Sequence, residues 1–275
     1  MKNLNDIIKK LDDLSDPNTP LQDIVDDLQL IKKDFVINGN QEEAKRIWIF
    51  QTVVKVHILY REAFEFIKNR KYYDGWCKLE EVEIEIGFLK KHFKYNETEY
   101  LLYHIEKTTN NLQVLFPYKL FVSSEILIKE EICNICNKKV SVRTPCGHIV
   151  GEIYDGELCT RTIGKCSLLG CALVTNPQNK YSVLFHKDKT SGKQVDLYDY
   201  SIINFLFERI SDPYENWDLK VYKKEITADS YGEIDPDDTC LCGSGKRFKE
   251  CCALNIGKFY PHYELIIHRN DTNKS

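Results

Sequence analysis

The sequence lacks a long hydrophobic run, a strong net charge and any low-complexity segment. Within its 275 residues no stretch approaches about eighteen consecutive apolar residues, so we expect no transmembrane helix. The first residues turn acidic where a signal peptide would have an apolar core, which favours a cytoplasmic protein. The formal net charge of -4 argues against a protein that coats nucleic acid through its overall field, although a local basic patch is compatible with it.

Cysteine, in contrast, is abundant. The chain has 11 cysteines, and ten of them lie between residues 133 and 252. The cytoplasm keeps thiols reduced, so disulfides do not explain this number. Seven of the ten fall in tightly spaced pairs or triplets, which a metal ion requires and a disulfide does not. We therefore predict metal binding.

Residues 1–115 carry apolar side chains at helical spacing, which predicts five helices joined by short turns, arranged as a bundle or as a pair of helical hairpins. The predicted helices cover Leu4–Leu14 and residues 20–37, 41–69, 76–93 and 97–116. The segment Lys71–Gly75 is typical of a turn. Asn96, followed three residues later by Glu99, is typical of a capping box at the start of the last helix.

From residue 116 onwards the apolar runs become short and are interrupted by glycine and proline, which indicates β structure. Strand candidates are His148–Tyr154, Tyr181–Phe185 and Lys220–Ile226, and Tyr200–Ile210 predicts one helix. The predicted fold class is α+β. We expect a helical domain over residues 1–115, a zinc-stapled β domain over 116–211, and a connector with a small zinc knuckle over 212–275.

The last four cysteines form two close pairs, Cys240-Leu-Cys242 and Cys251-Cys252, separated by Gly-Ser-Gly-Lys-Arg-Phe-Lys-Glu. Two such pairs can surround one zinc ion if the chain between them turns sharply, and Gly243-Ser-Gly245 supplies the turn. A phosphate loop is excluded, because Cys240 and Arg247 stand where that loop needs glycine and serine or threonine.

Residues 235–252 resemble the SEC-C motif, which occurs in the C-terminal tail of the preprotein translocase ATPase and in many otherwise unrelated bacterial proteins. The resemblance implies one zinc ion bound by Cys240, Cys242, Cys251 and Cys252. Leu241 replaces the usual proline between the first two ligands. In the translocase this zinc motif binds an export chaperone and the ribosome, so the resemblance implies a docking module for a protein or ribosomal partner.

A second cluster begins with Cys133-Asn-Ile-Cys136, a CxxC knuckle after a hydrophobic strand, and continues with Cys146-Gly-His148 and Cys159. The spacing resembles zinc-ribbon and treble-clef sites. Five candidates compete for four positions. We favour Cys133, Cys136, Cys146 and His148, and the alternative recruits Cys159 in place of Cys146 or His148. A structural zinc is the favoured interpretation, although Glu152 and Glu157 are close enough in sequence to leave a catalytic zinc open.

Cys166 and Cys171 have the wrong spacing for a knuckle and stand beside apolar residues, so we expect both in the core. The four residues Lys246, Arg247, Phe248 and Lys249 are expected to form the exposed face of the C-terminal module. The leading hypothesis is a non-enzymatic, zinc-binding adaptor with two zinc ions. One alternative is a subunit, with or without enzymatic activity, of a bacterial or phage conflict system. The other is an RNA-binding accessory protein that uses the basic residues near Lys246.

Overall fold

The computed structural model describes residues 4–192, 194–195 and 198–268. Helices come first along the chain and small sheets follow, so the predicted α+β class is confirmed. The chain divides into two compact units, Met1–Glu215 and Asn216–Ser275. The further division that we predict near residue 115 lies inside the first unit and stays a prediction.

The first unit begins with a helical bundle, and its core holds most of the fully buried side chains of the chain. Helix α2 shows the periodicity that forms it, because Leu21, Ile24 and Leu28 recur on one face and are all buried. The five helices are α1 (Leu4–Lys10), α2 (Leu21–Ile37), α3 (Gln41–Lys68), α4 (Tyr72–Leu89) and α5 (Leu102–Leu115).

Helix α4 begins at Tyr72, so the turn predicted at Lys71–Gly75 is wrong. Gly75 lies within this helix where it packs against α3. A Cβ atom at this position would stand 2.4 Å from Ile67 Cγ1 and 3.3 Å from the Ala63 carbonyl oxygen. The glycine therefore permits a close helix–helix approach rather than a turn.

Before α5 the predicted capping interaction is present, but the helix does not begin at residue 97 as predicted. The Asn96 N–H donates to the Glu99 carboxylate at 2.9 Å, and the Glu99 N–H donates to Asn96 Oδ1 at 3.2 Å. Tyr100 and Leu101 then adopt left-handed backbone angles, with φ of 50° and 51°. This interruption delays the regular α-helix to Leu102.

A long antiparallel ribbon dominates the β part of the first unit. Strands β1 (Phe121–Cys133) and β5 (Arg161–Val174) pair along almost their whole length, with three register shifts. Cys166 and Cys171 are exposed on this ribbon, so their predicted core positions are wrong. No described element packs over them, which is why apolar neighbours in sequence did not bury them.

Three smaller strands lie between and beside the ribbon strands. Strand β2 (Lys139–Val140) joins β1 at its C-terminal end, and β3 (Ile153–Tyr154) forms a hairpin with β4 (Glu157–Leu158). The predicted strand His148–Tyr154 is thus reduced to its last two residues. The predicted strand Tyr181–Phe185 contributes a single bridge, between Phe121 and Val183. Helix α6 (Ser201–Phe207) closes the first unit.

The second unit is built on another antiparallel ribbon, formed by β6 (Trp217–Glu225) and β7 (Phe259–Ile267). Strand β6 agrees with the predicted strand, whereas β7 was not predicted. The C-terminal cysteine cluster lies in the segment that joins the two strands. Within the described part of the chain, no helix is both long enough and apolar enough to cross a membrane.

Candidate metal centres

The chain around Cys240 folds into a tight loop that brings the two cysteine pairs together. The Cys240 N–H donates to the Lys246 carbonyl at 2.8 Å, and Thr239 forms a bridge with Arg247. Gly243 and Gly245 have φ of 77° and 72° between these points. Residues with side chains avoid such angles, so the glycines allow the reversal that the sequence predicts.

The result is a compact set of four thiols. The sulfur atoms of Cys240, Cys242, Cys251 and Cys252 all lie within 4.8 Å of one another, and Cys242 Sγ is 3.5 Å from Cys251 Sγ. With zinc–sulfur bonds of about 2.3 Å, the sulfurs of a tetrahedral site lie about 3.8 Å apart. The arrangement therefore fits a four-thiolate zinc site.

The surroundings of these thiols favour partial ionisation. Hydrogen bonds from the Ser244 hydroxyl and N–H, and from the thiols of Cys240 and Cys251, lower the pKa of Cys242 to about 6. The pKa of Cys252 is raised to about 12. The largest cause is a hydrogen bond with the Cys240 thiol, and burial and hydrogen bonds with the thiols of Cys242 and Cys251 add to it. Of these two thiols Cys242 therefore ionises first, and the thiolate is the form that binds a metal ion.

The expected exposed face of this module is only partly correct. Phe248 is buried, with 7% of its surface exposed, and its ring lies edge-on to Tyr231 at 5.1 Å. We expected part of the ring to remain available to a partner, because so small a knuckle has no core of its own to bury it fully. That expectation was wrong because Tyr231, just upstream of the motif, supplies the missing apolar neighbour.

The basic residues of the module are also less free than the sequence suggests. Asp237 accepts a hydrogen bond from Arg247 at 3.0 Å and contacts Lys249 Nζ at 2.5 Å. Glu250 lies 3.8 Å from the same arginine. These carboxylates neutralise much of the positive charge on which an RNA-binding face would depend.

The second cluster begins where β1 ends in a knuckle. The Asn137 N–H donates to the Cys133 carbonyl at 2.8 Å, and the Cys133 N–H donates to the Lys138 carbonyl at 3.0 Å. Asn137 closes this turn with a left-handed φ of 55°. One ligand atom each from Cys133, Cys136, Cys146 and His148 lies within 4.8 Å of the other three.

The donor set is three thiols and one imidazole, which is a common composition for structural zinc. Burial raises the pKa of Cys133, but hydrogen bonds from the N–H groups of Cys136 and Ile135 and from the thiols of Cys146 and Cys136 lower it to about 6. His148 Nδ1 is 3.7 Å from Cys133 Sγ. These four residues are the set that we favour from the sequence, and their ligand roles stay a prediction.

Cys159 lies beside this group rather than within it. The buried thiol interacts with Cys133 and accepts a hydrogen bond from Arg161 Nη1 at 3.3 Å. Arg161 Nη2 also donates to the His148 carbonyl at 2.6 Å. Burial raises the pKa of Cys159, so this sulfur carries its proton more readily than Cys133 does. The Cys159 thiol therefore lies next to the four-residue cluster. It stays the alternative ligand in place of Cys146 or His148.

The hairpin that carries Cys159 is fixed to the helical bundle by contacts that sequence reasoning missed. Asp155 and Gly156 both have positive φ, at 51° and 68°, as a two-residue hairpin turn requires. Lys32 of α2 is buried and donates to the Gly156 carbonyl at 3.0 Å and to Glu157 at 2.7 Å. The Asp155-Gly156 pair was a signal in the sequence for this hairpin turn. The contact with Lys32, which is distant in sequence, had no such signal.

Helix α3 and the segment that follows α4 also contact the β3–β4 hairpin and the residues before it. Gln41 Oε1 accepts a hydrogen bond from the Asp155 N–H at 2.9 Å. His92 Nε2 donates to the Gly151 carbonyl at 2.7 Å, and the His92 ring lies edge-on to Trp48 at 5.5 Å. Through these contacts the central cluster and the bundle form one packed structure.

Of the two carboxylates that left a catalytic zinc open, Glu157 is already engaged by Lys32. Glu152 contributes its backbone carbonyl to the hairpin, where it accepts from the Cys159 N–H at 2.8 Å. The contact between Glu157 and Lys32 favours a structural role for this cluster.

Comparison with known proteins identifies one segment of the chain. Residues 238–254 match the family model described as the SEC-C motif, which confirms the resemblance of the C-terminal cysteine cluster. No curated protein and no solved structure matches the chain.

Proposed function

We propose that this chain is a zinc-stabilised adaptor whose C-terminal module docks on a protein partner. The proposal has two parts, the metal and the docking surface. It also assigns the protein to the cytoplasm, where all 11 cysteines can remain unbridged as they are in this structure.

Zinc is the metal that best suits both clusters. Thiolate and imidazole are soft or borderline donors, which favour zinc over calcium or magnesium. We propose Cys240, Cys242, Cys251 and Cys252 as ligands of one ion. We propose Cys133, Cys136, Cys146 and His148 as ligands of the other, with Cys159 as the donor that replaces one of them if the site rearranges on loading.

The observation that carries the docking role is the exposure of apolar side chains around the C-terminal cluster. Leu241, between Cys240 and Cys242, is 76% exposed, and Leu254, two residues after Cys252, is 64% exposed. Zinc bound to Cys240, Cys242 and Cys252 would hold the backbone near both leucines rigid, so little backbone entropy is lost on binding. Exposed apolar groups on a rigid surface are typical anchors of protein interfaces.

An RNA partner is less well supported. Asp237 already pairs with Arg247 and Lys249, so of the three basic residues in the loop only Lys246 has no carboxylate partner among the described ion pairs. Binding to a phosphate backbone requires several free cations, because each neutralised phosphate adds to affinity. A protein partner that covers Leu241 and Leu254 would bury the apolar side chains that are exposed on this surface.

The test is a comparison of partner capture by three zinc-loaded proteins from an extract of the native cells. The wild type is compared with the double variant Leu241→Asp/Leu254→Asp and with the matched variant Lys246→Ala/Arg247→Ala/Lys249→Ala. We expect the leucine variant to lose the specific partner while keeping its zinc content. The basic variant should retain the partner, and the wild-type interaction should change little between low and high salt.

The opposite pattern would favour another function. Loss of binding in the basic variant, with a steep decrease of wild-type binding as salt rises, would identify a nucleic-acid partner. Equal capture by all three proteins would exclude this module as the docking surface.

A further inference from the structure

Arg161, the first residue of β5, lies where the separate segments of the central cluster meet. Strand pairing places it directly opposite Cys133, the last residue of β1 and the first residue of the knuckle. Side chains of such a cross-strand pair lie on the same side of the sheet. The half-buried Arg161 side chain is therefore directed towards the cluster.

The guanidinium group of Arg161 joins two further segments of the cluster. Its Nη2 atom donates to the His148 carbonyl at 2.6 Å, and its Nη1 atom donates to Cys159 Sγ at 3.3 Å. The N–H groups of a guanidinium lie in one rigid plane. A single side chain therefore fixes the backbone of His148 relative to Cys159, which follows β4.

The backbone of His148 depends on contacts of this kind. Between β2 and β3 the chain has turns and one isolated bridge, between Ser141 and Thr144, and no strand. Gly147, the residue before His148, has a φ of 87°. Glycine is the residue with the greatest backbone freedom, so it does not by itself orient the histidine that follows it. The hydrogen bond from Arg161 supplies that orientation.

Tyr154 holds the imidazole ring of His148 from another side. The two rings lie edge-on with their centres 4.6 Å apart, and the Tyr154 hydroxyl accepts a hydrogen bond from the Ile149 N–H at 3.0 Å. Tyr154 thus fixes the ring and Arg161 fixes the backbone. With both in place, His148 Nδ1 lies 3.7 Å from Cys133 Sγ.

Arg161 also supplies charge where the cluster needs it. Three thiolates and one neutral imidazole around Zn²⁺ leave a net negative charge. Cys133 is fully buried, so part of this charge is held away from water, which is costly without a compensating group. The guanidinium group is always protonated. Its charge interacts favourably with the ionised forms of Cys133, Cys146 and Cys159.

We propose that Arg161 is a positioning residue of the central metal centre: it holds His148 in place as a ligand and offsets the negative charge of the loaded cluster. The proposal rests on the proposed function, because it requires that Cys133, Cys136, Cys146 and His148 bind zinc. Replacing a residue that orients metal ligands without touching the metal lowers affinity by about 10–100-fold.

Zinc affinity is measured by competition with a chelating dye in full-length Cys240→Ser protein, in which the central cluster is the one expected to keep its ion. In this parent chain, Arg161→Gln should raise the zinc dissociation constant by about 10–100-fold. The matched control is Arg143→Gln, because Arg143 is an exposed arginine in the loop that leads to Cys146. The control should bind zinc like the parent, and circular dichroism establishes that each variant is folded.

Cadmium-113 NMR of the same proteins shows whether His148 is a ligand, because a bound imidazole nitrogen couples to the metal nucleus. We expect this coupling in the parent and its loss in Arg161→Gln. Arg161→Lys keeps the charge but lacks the planar pair of donors. It should therefore bind zinc more tightly than Arg161→Gln and more weakly than the parent.

Three results would overturn the proposal while leaving the proposed function intact. They are unchanged zinc affinity and coupling in Arg161→Gln, equal weakening by Arg143→Gln and Arg161→Gln, and full recovery of affinity and coupling in Arg161→Lys. The second result would mean that any positive charge nearby suffices, and the third that the two hydrogen bonds contribute nothing. A parent chain that binds no ion at the central cluster would overturn both the proposed function of this cluster and the role of Arg161.

Discussion

At the scale of single residues, His57 shows how burial sets the charge of a side chain. Its Nε2 donates to the Tyr100 carbonyl at 2.9 Å, and its Nδ1 accepts from the Tyr214 hydroxyl at 2.8 Å. A neutral ring makes both of these hydrogen bonds, and the ring is fully buried. Burial is the main reason why the pKa of His57 falls from 6.5 to about 4, and the nearby Arg61 adds to the shift.

This shift predicts a dependence of stability on pH. In the unfolded chain His57 takes up a proton near pH 6.5, whereas in the folded chain it does so only near pH 4. Its contribution to stability is therefore complete above about pH 6.5 and is lost as the pH falls towards 4. The loss amounts to about 3 kcal/mol for this residue alone, at about 1.4 kcal/mol for each pKa unit.

Chemical denaturation between pH 7 and pH 4.5 measures this effect in the wild type and in His57→Gln. We expect the variant to be less stable at pH 7 but to lose less stability on acidification. His104, whose pKa burial also lowers, is unchanged in both proteins and contributes equally. Parallel pH curves for the two proteins would show that His57 takes up its proton without cost in the folded state.

The cysteine and histidine residues of the two clusters could be predicted from the sequence. Metal ligands are constrained to short, regular spacings, so Cys240, Cys242, Cys251 and Cys252 are visible without a structure. The pairs Cys133–Cys136 and Cys146–His148 are visible for the same reason. Phe248 was judged wrongly, because its burial depends on Tyr231, whose position relative to the motif follows no spacing rule.

At the scale of elements, the β3–β4 hairpin depends on one buried lysine. Lys32 is only 4% exposed, and its ammonium group satisfies the Gly156 carbonyl and the Glu157 carboxylate. Gly156 is required beside it, since a Cβ atom there would lie 2.6 Å from Lys32 Cδ and 3.1 Å from the Ala44 carbonyl oxygen. The hairpin and α2 are therefore fitted to each other.

Lys32→Met should weaken this attachment. The substitution keeps much of the apolar stem but removes two hydrogen bonds from a charged donor, and Glu157 is partly exposed, so we expect a loss of about 1–2 kcal/mol. Thermal or chemical unfolding of the zinc-loaded protein measures it. Lys33→Met is the matched control, because Lys33 is the next residue of the same helix and is exposed. An equal effect of both substitutions would mean that the contact with the hairpin contributes nothing.

The same hairpin shows why elements were predicted unevenly. The amphipathic helices were found because each buries one face, and Leu21, Ile24 and Leu28 carry that periodicity. Of the ribbon strands, β1 was expected only as a hydrophobic strand before the CxxC knuckle, and β5 was not predicted. Both of their faces are largely exposed, so the usual alternation of polar and apolar residues is weak. Gly75 was assigned to a turn because its close contact with α3 is invisible in the sequence.

At the scale of the whole molecule, each of the two compact units contains one of the two candidate metal centres. Cys133 and its neighbours belong to the unit Met1–Glu215, and the SEC-C cluster belongs to the unit Asn216–Ser275. Structural zinc supplies on the order of 10 kcal/mol to the segment that it organises. Loss of one ion should therefore affect one unit and leave the other folded.

We expect elemental analysis of protein purified without chelators to find two zinc ions per chain, and one in either Cys133→Ser or Cys240→Ser. Cys133→Ser should lower the melting temperature of the larger unit and reduce its circular dichroism. Cys240→Ser should leave the helical signal unchanged, because the second unit has no α-helix among its described residues. Cys166→Ser, at an exposed cysteine outside both clusters, should keep both ions. Identical melting of the two ligand variants would contradict this assignment of one centre to each unit.

The placement of the SEC-C cluster between two paired strands has a further consequence. The Ile226 N–H donates to the Lys258 carbonyl at 2.9 Å, and the Gly257 N–H donates to the Ile226 carbonyl at 2.9 Å, so both ends of the segment meet at the end of the β6–β7 ribbon. The segment is therefore an insertion into a hairpin. The pairing of β6 with β7 already holds the two ends of the segment together, so the chain entropy of closing this loop is lost when the ribbon forms. The two cysteine pairs are therefore kept close to each other, at a high effective concentration. Because its two ends meet, the segment can fold around a metal ion without separating the paired strands.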